Sequence, residues 1–410
     1  MHSTPTIAII GAGPAGLIAA ERLAEAGCRV ALYDRMPTPA RKLLIAGRGG
    51  LNLTHSEPLD MLLTRYGASV QFLAPAIRAF PPDALRAWCE GLGIETFIGS
   101  SSRVFPRSMK AVPLLRAWID RLEALGVVYY AQHRWCGWLN DALAFVDAAG
   151  EAVLVKADAT LLALGGASWP RLGSDGAWVE LLAARGVAIA PLRPANCGFI
   201  APWSAHFSER FAGQPLKPVA ITHRGITRQG EAMMTARGIE GGVIYALSAA
   251  LREAIAAEGS TSITLDLRPA MSIEALAKKL AARGNKSLSS YLKSAGFSAL
   301  DVALLYETTS RDALAAMDAP ALAARLKALP LTLTGTAEIT RAISSAGGIT
   351  WPELTVDFGI ARLPGVFAAG EMLDWEAPTG GYLLQACFST GIAAAAGMMK
   401  YVGLSVGTSH

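Results

Sequence analysis

Three groups of residues have types and spacings that could do chemistry. The first is Gly11, Gly13 and Gly16, the glycines of a G-x-G-x-x-G run. Such a turn lets backbone approach a pyrophosphate, and the helix after it offers free N–H groups and a positive dipole end to the anion. Asp34 ends the next apolar run, "CRVALYD". A carboxylate about 20 residues beyond the glycines accepts from both ribose hydroxyls. It also repels a 2′-phosphate, so the expected dinucleotide is FAD or NAD and not NADP.

The second group is "LLIAGRGGLNLTH", Leu43 to His55. Gly47, Arg48, Gly49, Gly50 and Asn52 make a second donor-rich loop soon after the first. FAD is long, and a second loop is expected to wrap its middle and border the isoalloxazine. Arg41 and Lys42, just before it, can offset phosphate charge. The third group is "PGVFAAGEMLDWEAPTGGYLLQACFSTG", Pro364 to Gly391. Here a strand ends in Gly370-Glu371, where an acceptor suits a ribityl hydroxyl. Gly380 and Gly381 then open a helix whose N-terminus favours the charge that a flavin gathers near N1 and O2 on reduction. A nicotinamide dehydrogenase has no use for this late element, so the expected cofactor is FAD.

The elements that must position these groups follow from periodicity. Thr6–Ile10 is a short β-branched apolar run, followed by the glycine turn, the amphipathic "LIAAERLAEAG" and a second strand, a βαβ unit. The stretch to Gly126 is mostly helical, and strands then lead to Gly165. Pro191 to about Arg268 is rich in Pro, Gly and Thr with short strands; 271–329 is helical; short strands return near Thr334. The pattern predicts an α/β chain with a discontinuous Rossmann-like FAD domain of the two-dinucleotide-binding type. The expected parts are 1–190 and 334–410 for the FAD domain, an inserted β-rich, barrel-like domain at 191–270, and a helical subdomain at 271–333.

Composition narrows the class. Hydrophobic residues make up 52% and charged residues 17% of 410, so a large core is expected and disorder is not. Cys28, Cys89, Cys136, Cys197 and Cys387 are scattered without C-x-x-C spacing, which suggests reduced thiols and a cytoplasmic setting. Tyr382–Met399 is apolar but broken by Gln385, Ser389 and Thr390, and reads as a buried core helix rather than a membrane span. No metal-ligand cluster or hydrolase triad is evident.

The blocks "IIGAGPAGLIAA", "ARKLLIAGRGGLNLTH", "RVFPRSMKA", "LLALGGASWPRLGSDG", "PLRPANCGF", "AEITRAISSAGGI" and "GVFAAGEMLDWEAPTGGYLLQACFSTG" together resemble the aminoacetone-oxidase-like (BaiN/YhiN) flavoproteins, over nearly the whole chain. The resemblance implies non-covalent FAD held by Gly11, Gly13, Gly16, Asp34, Arg41, Lys42, Gly47, Gly49, Gly50, Asn52, Gly165, Gly370, Glu371, Gly380, Gly381 and Gln385; Ala15, Arg35, Arg48, Gly166, Thr379 and Tyr382, beside these in the same segments, are expected to join them. It implies reductase or oxidase chemistry on a small carbonyl or conjugated substrate, with NAD(P)H as a transient donor. The family usually reads G-G-G-R-C-N where this chain has "GRGGLN", and leucine stands in "GGYLLQ" where asparagine is common. Both departures point to a divergent subfamily.

Few residues offer themselves on the substrate side. His223 and Tyr382 are candidate proton donors; Asn196 and Glu376 are candidates to orient a carbonyl. The resemblance also implies a rival reading, an RNA-directed flavin reductase of the uridine-to-dihydrouridine type, since some relatives are associated with uridine reduction in ribosomal RNA. It rests on Lys278, Lys279, Arg283, Lys286 and Lys293, a basic run with no acidic residue among them.

Overall fold

A computed structural model describes residues 4–404 except Arg283, and the backbone alone of Arg48. The chain forms two compact units, one of Met1–Arg193 with Ser344–His410, the other of Pro194–Ile343.

The first unit is built on a five-stranded parallel sheet. Its order is Val366–Ala368, Ala159–Leu162, β1 (Thr6–Ile10), β2 (Arg29–Tyr33) and Val128–Tyr130. All four pairings are parallel. β1 is central and its residues Ile7 to Ile10 are buried, as an unbroken apolar run in a parallel sheet should be. Helix α1 (Pro14–Glu25) follows the glycine turn with proline at its start, where a missing N–H costs nothing. The closing helix, Tyr382–Tyr401, packs on α1 in the same core. It is long and apolar enough to cross a membrane by composition, but most of it is buried inside this unit.

Two small antiparallel sheets flank the parallel one. Arg134–Leu139, Ala142–Val146 and Ala152–Val155 form a meander. After helix α2 (Arg41–Ala46) and a tight turn, the short strand β3 (Thr54–His55) pairs with Arg103–Pro106, which pairs with Thr96–Ile98.

The second unit holds a seven-stranded antiparallel sheet and a set of short helices around one hydrophobic core. The β-rich and helical stretches, expected as separate parts, share that core. Leu329–Leu333 and Gly335–Thr336 form the two edges of its sheet, so the returning half begins at Ser344 rather than 334.

Candidate functional site

A cleft lies at the carboxyl ends of β1, β2, Ala159–Leu162 and Val366–Ala368, the place where open parallel sheets bind ligands. Gly11, at the end of β1, has φ +107° and donates to Tyr33 O at 2.8 Å. A Cβ on Gly11 would collide with the Ala163 carbonyl. A Cβ on Gly13 would meet nothing within 4 Å, so open space lies over the uncapped N-terminus of α1. That is the room and the donor set that a phosphate needs. Gly16 lies behind the cleft, where it brings α1 onto the Gly11 turn.

Asp34 follows β2. Its Oδ2 accepts from Ala12 N and its Oδ1 from Met36 N, both at 2.7 Å. Burial pushes its carboxyl above the ordinary range, opposed by those two N–H groups and by Arg35 and Arg41. The carboxylate is thus fixed in orientation with lone pairs left for hydroxyl donors.

Arg35 lines the cleft, but its guanidinium is spent on the protein. It donates to Pro170 O at 2.8 Å and pairs with Asp175. Both partners belong to a strap, residues 165–176, whose Leu172, Gly173 and Ser174 line the opposite wall. The strap is also tied by Ala167 N to Ser345 Oγ and by Lys42 Nζ to Ser168 Oγ. Arg35 therefore latches the strap rather than offering itself to the cofactor. Arg35→Ala should raise the rate of FAD release about 5- to 10-fold, the loss of roughly 1 kcal/mol expected of a partly exposed pair. Recovery of free-FAD fluorescence after rapid dilution would measure that rate.

Lys42 also departs from expectation. Its ammonium sits 2.7 Å from Glu371 Oε2, and Glu371 Oε1 accepts from Ser345 N at 2.9 Å. The charge of Lys42 is balanced by Glu371 and is not left over for phosphate. Arg41 differs, since its Nε is buried and has no partner. The same holds for Trp135 Nε1 and Ser174 Oγ, which also line the cleft. Ala15, Gly165 and Gly370 line it as expected. Cys387 does too; burial pushes its thiol up to about 12, so it is protonated at neutral pH.

The second loop assembles next to the closing helix. Leu51 and Leu53 are wholly buried and point Asn52 the other way. Asn52 Nδ2 donates to Thr54 O at 2.8 Å and Val104 O at 3.2 Å, while its buried Oδ1 has no partner. Gly47 packs on Ala111, Gly50 has φ +117°, and Gly49 has open space around it. After Thr379 and Gly380, Gly381 turns with φ +91° into the closing helix, and a Cβ there would lie 2.6 Å from Thr54 Cα. Strand β3 and the helix N-terminus are therefore in backbone contact. Gln385 secures the junction. It accepts from Thr54 Oγ1 at 2.7 Å and donates to Phe80 O at 2.7 Å. It is 0% exposed, so it positions the helix instead of touching a cofactor. Gly166 is likewise a packing position, against Ser345.

Tyr382 begins that helix. Its hydroxyl donates to Glu57 Oε1 at 2.7 Å, and Glu57 is gripped by Arg65 through Nε at 3.1 Å and Nη2 at 2.6 Å. The proton of Tyr382 is thus committed to a carboxylate, and burial raises its phenol well above the usual range. That arrangement does not suit a proton donor to substrate. The Arg65 hydrogen bond holds Glu57 below the usual carboxylate range, with Tyr382 adding to it. Its contribution to stability is therefore complete above about pH 4.5 and lost as pH falls through the depressed value. Glu57→Gln should flatten that acid limb of a Tm-against-pH profile.

The other candidates fall elsewhere. His223 belongs to the second unit, buried, with Nε2 3.0 Å from Thr261 Oγ1, which is the environment of a satisfied core histidine. Burial lowers its pKa. Asn196 is buried in the second unit, and its carbonyl accepts from Ile343 N at 3.3 Å. Glu376 lies in the loop between Met372 and the closing helix. Sequence reasoning missed Trp135 and Ser174. Ser174 carried a faint signal, between glycines in "LGSDG"; Trp135, in a meander strand, carried none.

The cleft fits FAD. Three buried polar atoms of its wall lack partners, open space faces a helix N-terminus, and a fixed carboxylate stands where ribose would lie. Comparison with known proteins agrees. A model of the HI0933-like protein Rossmann domain matches residues 5–397. The 3-dehydro-bile acid delta(4,6)-reductase of Clostridium scindens is 26% identical over 404 residues, covering 95% of this chain and 97% of the relative. The ribosomal RNA dihydrouridine synthase of Escherichia coli is 25% identical over 409 residues, covering 94% and 96%. Among solved structures, a flavocytochrome c3 fumarate reductase aligns with TM-score 0.54 at 12% identity, covering 98% of this chain and 79% of that one. The 3-ketosteroid delta1-dehydrogenase of Sterolibacterium denitrificans aligns with TM-score 0.52 at 12% identity, covering 97% and 100%. Both structural likenesses concern the fold.

Proposed function

The chain belongs to the HI0933-like Rossmann family and is an FAD-dependent oxidoreductase; from that premise we propose that it reduces a carbon–carbon double bond conjugated to a carbonyl, with NAD(P)H as donor. The observation that carries the cofactor assignment is the set of partnerless buried atoms on residues lining the cleft, Arg41 Nε, Trp135 Nε1 and Ser174 Oγ. Burying such atoms unpaired costs about 1–3 kcal/mol each, a cost that a bound polar ligand removes. The names of the two relatives, a delta(4,6)-reductase and a dihydrouridine synthase, support a conjugated C=C as the bond acted upon.

When bound, FAD supplies hydride transfer through N5 of its ring. The residues of this chain do the rest. The α1 N-terminus and Arg41 would receive the pyrophosphate and Asp34 the ribose, with the Arg35-latched strap forming part of the wall around them. Glu371, braced by Lys42 and Ser345, and the turn at Gly380-Gly381 border the far end. The sequence has one G-x-G-x-x-G run, so NAD(P)H visits the face that substrate also uses, and turnover is ping-pong. Anaerobic addition of NADH or NADPH to the yellow protein tests this. Fast bleaching by either, followed by recolouring with an enone, is the expected result. A colourless protein that takes up no FAD would sink the assignment; a coloured one that neither nicotinamide bleaches would remove the donor.

One observation favours RNA as the carrier of the double bond. In the second unit a cleft between Ala205–Phe211, Leu288–Ser294, Ala299–Thr308 and Arg311–Ala315 is lined by Arg210, Lys293 and Arg311. Its carboxylate, Glu307, is spent on the amide and hydroxyl of Ser204. Lys278 and Lys279 end the helix Ile273–Lys279, while Arg283 lies outside the described residues. RNA retention that falls steeply with salt, and with Lys293→Glu and Arg311→Glu, is the expected sign of this reading.

A further inference from the structure

We propose that His55, through its Nε2–H, is a hydrogen-bond donor to the substrate's carbonyl oxygen. The inference rests on the flavin reductase reading above and adds a residue to it. The backbone N–H of Glu57 donates to His55 Nδ1 at 3.1 Å. A ring nitrogen that accepts carries no proton, so the neutral ring has its proton on Nε2. The ring is also held in place. It stacks on Tyr382 with centroids 5.3 Å apart and planes at 21°, and Tyr382 is pinned through Glu57 to Arg65.

Nε2–H has no hydrogen-bond partner among the described residues, though the side chain is only 14% exposed. The titratable and charged groups around the ring are Glu57, Arg65 and Tyr382, with Arg103 as its register partner across the β-ladder. His55 ends β3, whose Thr54 touches the Gly381 turn, and it follows Asn52 with its partnerless Oδ1. A rigid donor with a fixed tautomer thus stands beside the turn assigned to the flavin ring.

The chemistry balances without changing the charge of His55. The β-carbon of the enone accepts a hydride, with its electron pair, from the reduced flavin. The C=C electrons shift toward the carbonyl, which becomes an enolate oxygen held by Nε2–H. The α-carbon then takes a proton from water, giving the saturated ketone. A fixed donor aimed at developing oxyanion charge is the usual source of such stabilisation, and a neutral imidazole can provide it.

Pentafluorophenolate, an anionic oxygen on a flat ring, serves as a mimic of the enolate. Titrated into the FAD-loaded protein, it should give a long-wavelength charge-transfer band with the flavin. His55→Phe keeps the stack on Tyr382 and removes the donor; it should bind the phenolate about 10- to 100-fold more weakly. His55→Gln retains an N–H donor and should recover most of that loss. Flavin content should be the same in all three, which separates this inference from the cofactor reading. Equal phenolate affinity in His55→Phe, or no charge-transfer band in a wild-type protein that holds FAD, would overturn the assignment.

Discussion

Asp34→Ala is expected to produce a protein that is colourless after gel filtration. The carboxylate does two things at once. Its two oxygens fix the amides of Ala12 and Met36, each at 2.7 Å, and so shape the loop over the α1 N-terminus. Its remaining lone pairs are the acceptors for ribose. Hydrogen bonds to a charged group are worth about 1.5–3 kcal/mol, so losing two toward the ligand lowers FAD affinity roughly 10²- to 10⁴-fold. Asp34→Asn keeps an acceptor oxygen but must turn an amide toward one of the two backbone N–H groups, and should fall between. Quenching of FAD fluorescence on titration gives the dissociation constants. An Asp34→Ala protein that binds FAD within a few-fold of wild type would show that the ribose lies elsewhere.

The second large effect concerns stability and lies away from the cleft. Glu21 on α1 is 0% exposed. It accepts from Trp88 Nε1 at 3.0 and 3.1 Å, from Trp118 Nε1 at 2.7 Å and from Arg121 Nη1 at 3.0 Å. The two indoles meet edge to face, with centroids 4.7 Å apart. One carboxylate thus joins α1 to the helices Pro82–Gly91 and Ala111–Ala124. Glu21→Ala leaves two indole N–H groups without an acceptor and removes the ion-pair partner of Arg121, whose other nitrogen keeps Gly91 O. Breaking a buried, hydrogen-bonded ion pair in this way costs about 3–5 kcal/mol. Glu21→Gln, which keeps an acceptor but loses the charge, should cost less. Urea unfolding of the FAD-loaded proteins reads both. An unchanged midpoint for Glu21→Ala would mean that water replaces the carboxylate.

These two residues differ in how visible they were. Asp34 could be read because the glycine turn, the helix and the second strand are neighbours along the chain, and their spacing alone aligns the carboxylate with the turn. Glu21 looked like any charge on an amphipathic helix, because its partners are Trp88, Trp118 and Arg121, on helices that periodicity does not orient. In the sequence Lys42 reads as a phosphate partner from its charge beside the second loop, and Arg35 as a cofactor contact. Their charges are answered instead by Glu371 and Asp175, far along the chain. The family resemblance implies Gln385 as an FAD contact, yet helix rotation buries it against Thr54 and Phe80.

The sequence by itself determined the dinucleotide unit, its preference for a ribose without a phosphate, and the existence of three glycine-bearing segments. Those features depend on φ requirements, on period and on short loops, all of which act over a few tens of residues. Only the tertiary structure decided which polar side chains are free for a ligand. Burial and pairing across hundreds of residues set that, as in Tyr382 with Glu57, Lys42 with Glu371, and the Nδ1 of His55, whose tautomer is fixed by one backbone amide. A charge or a donor in the sequence has no assigned partner until the chain closes on itself.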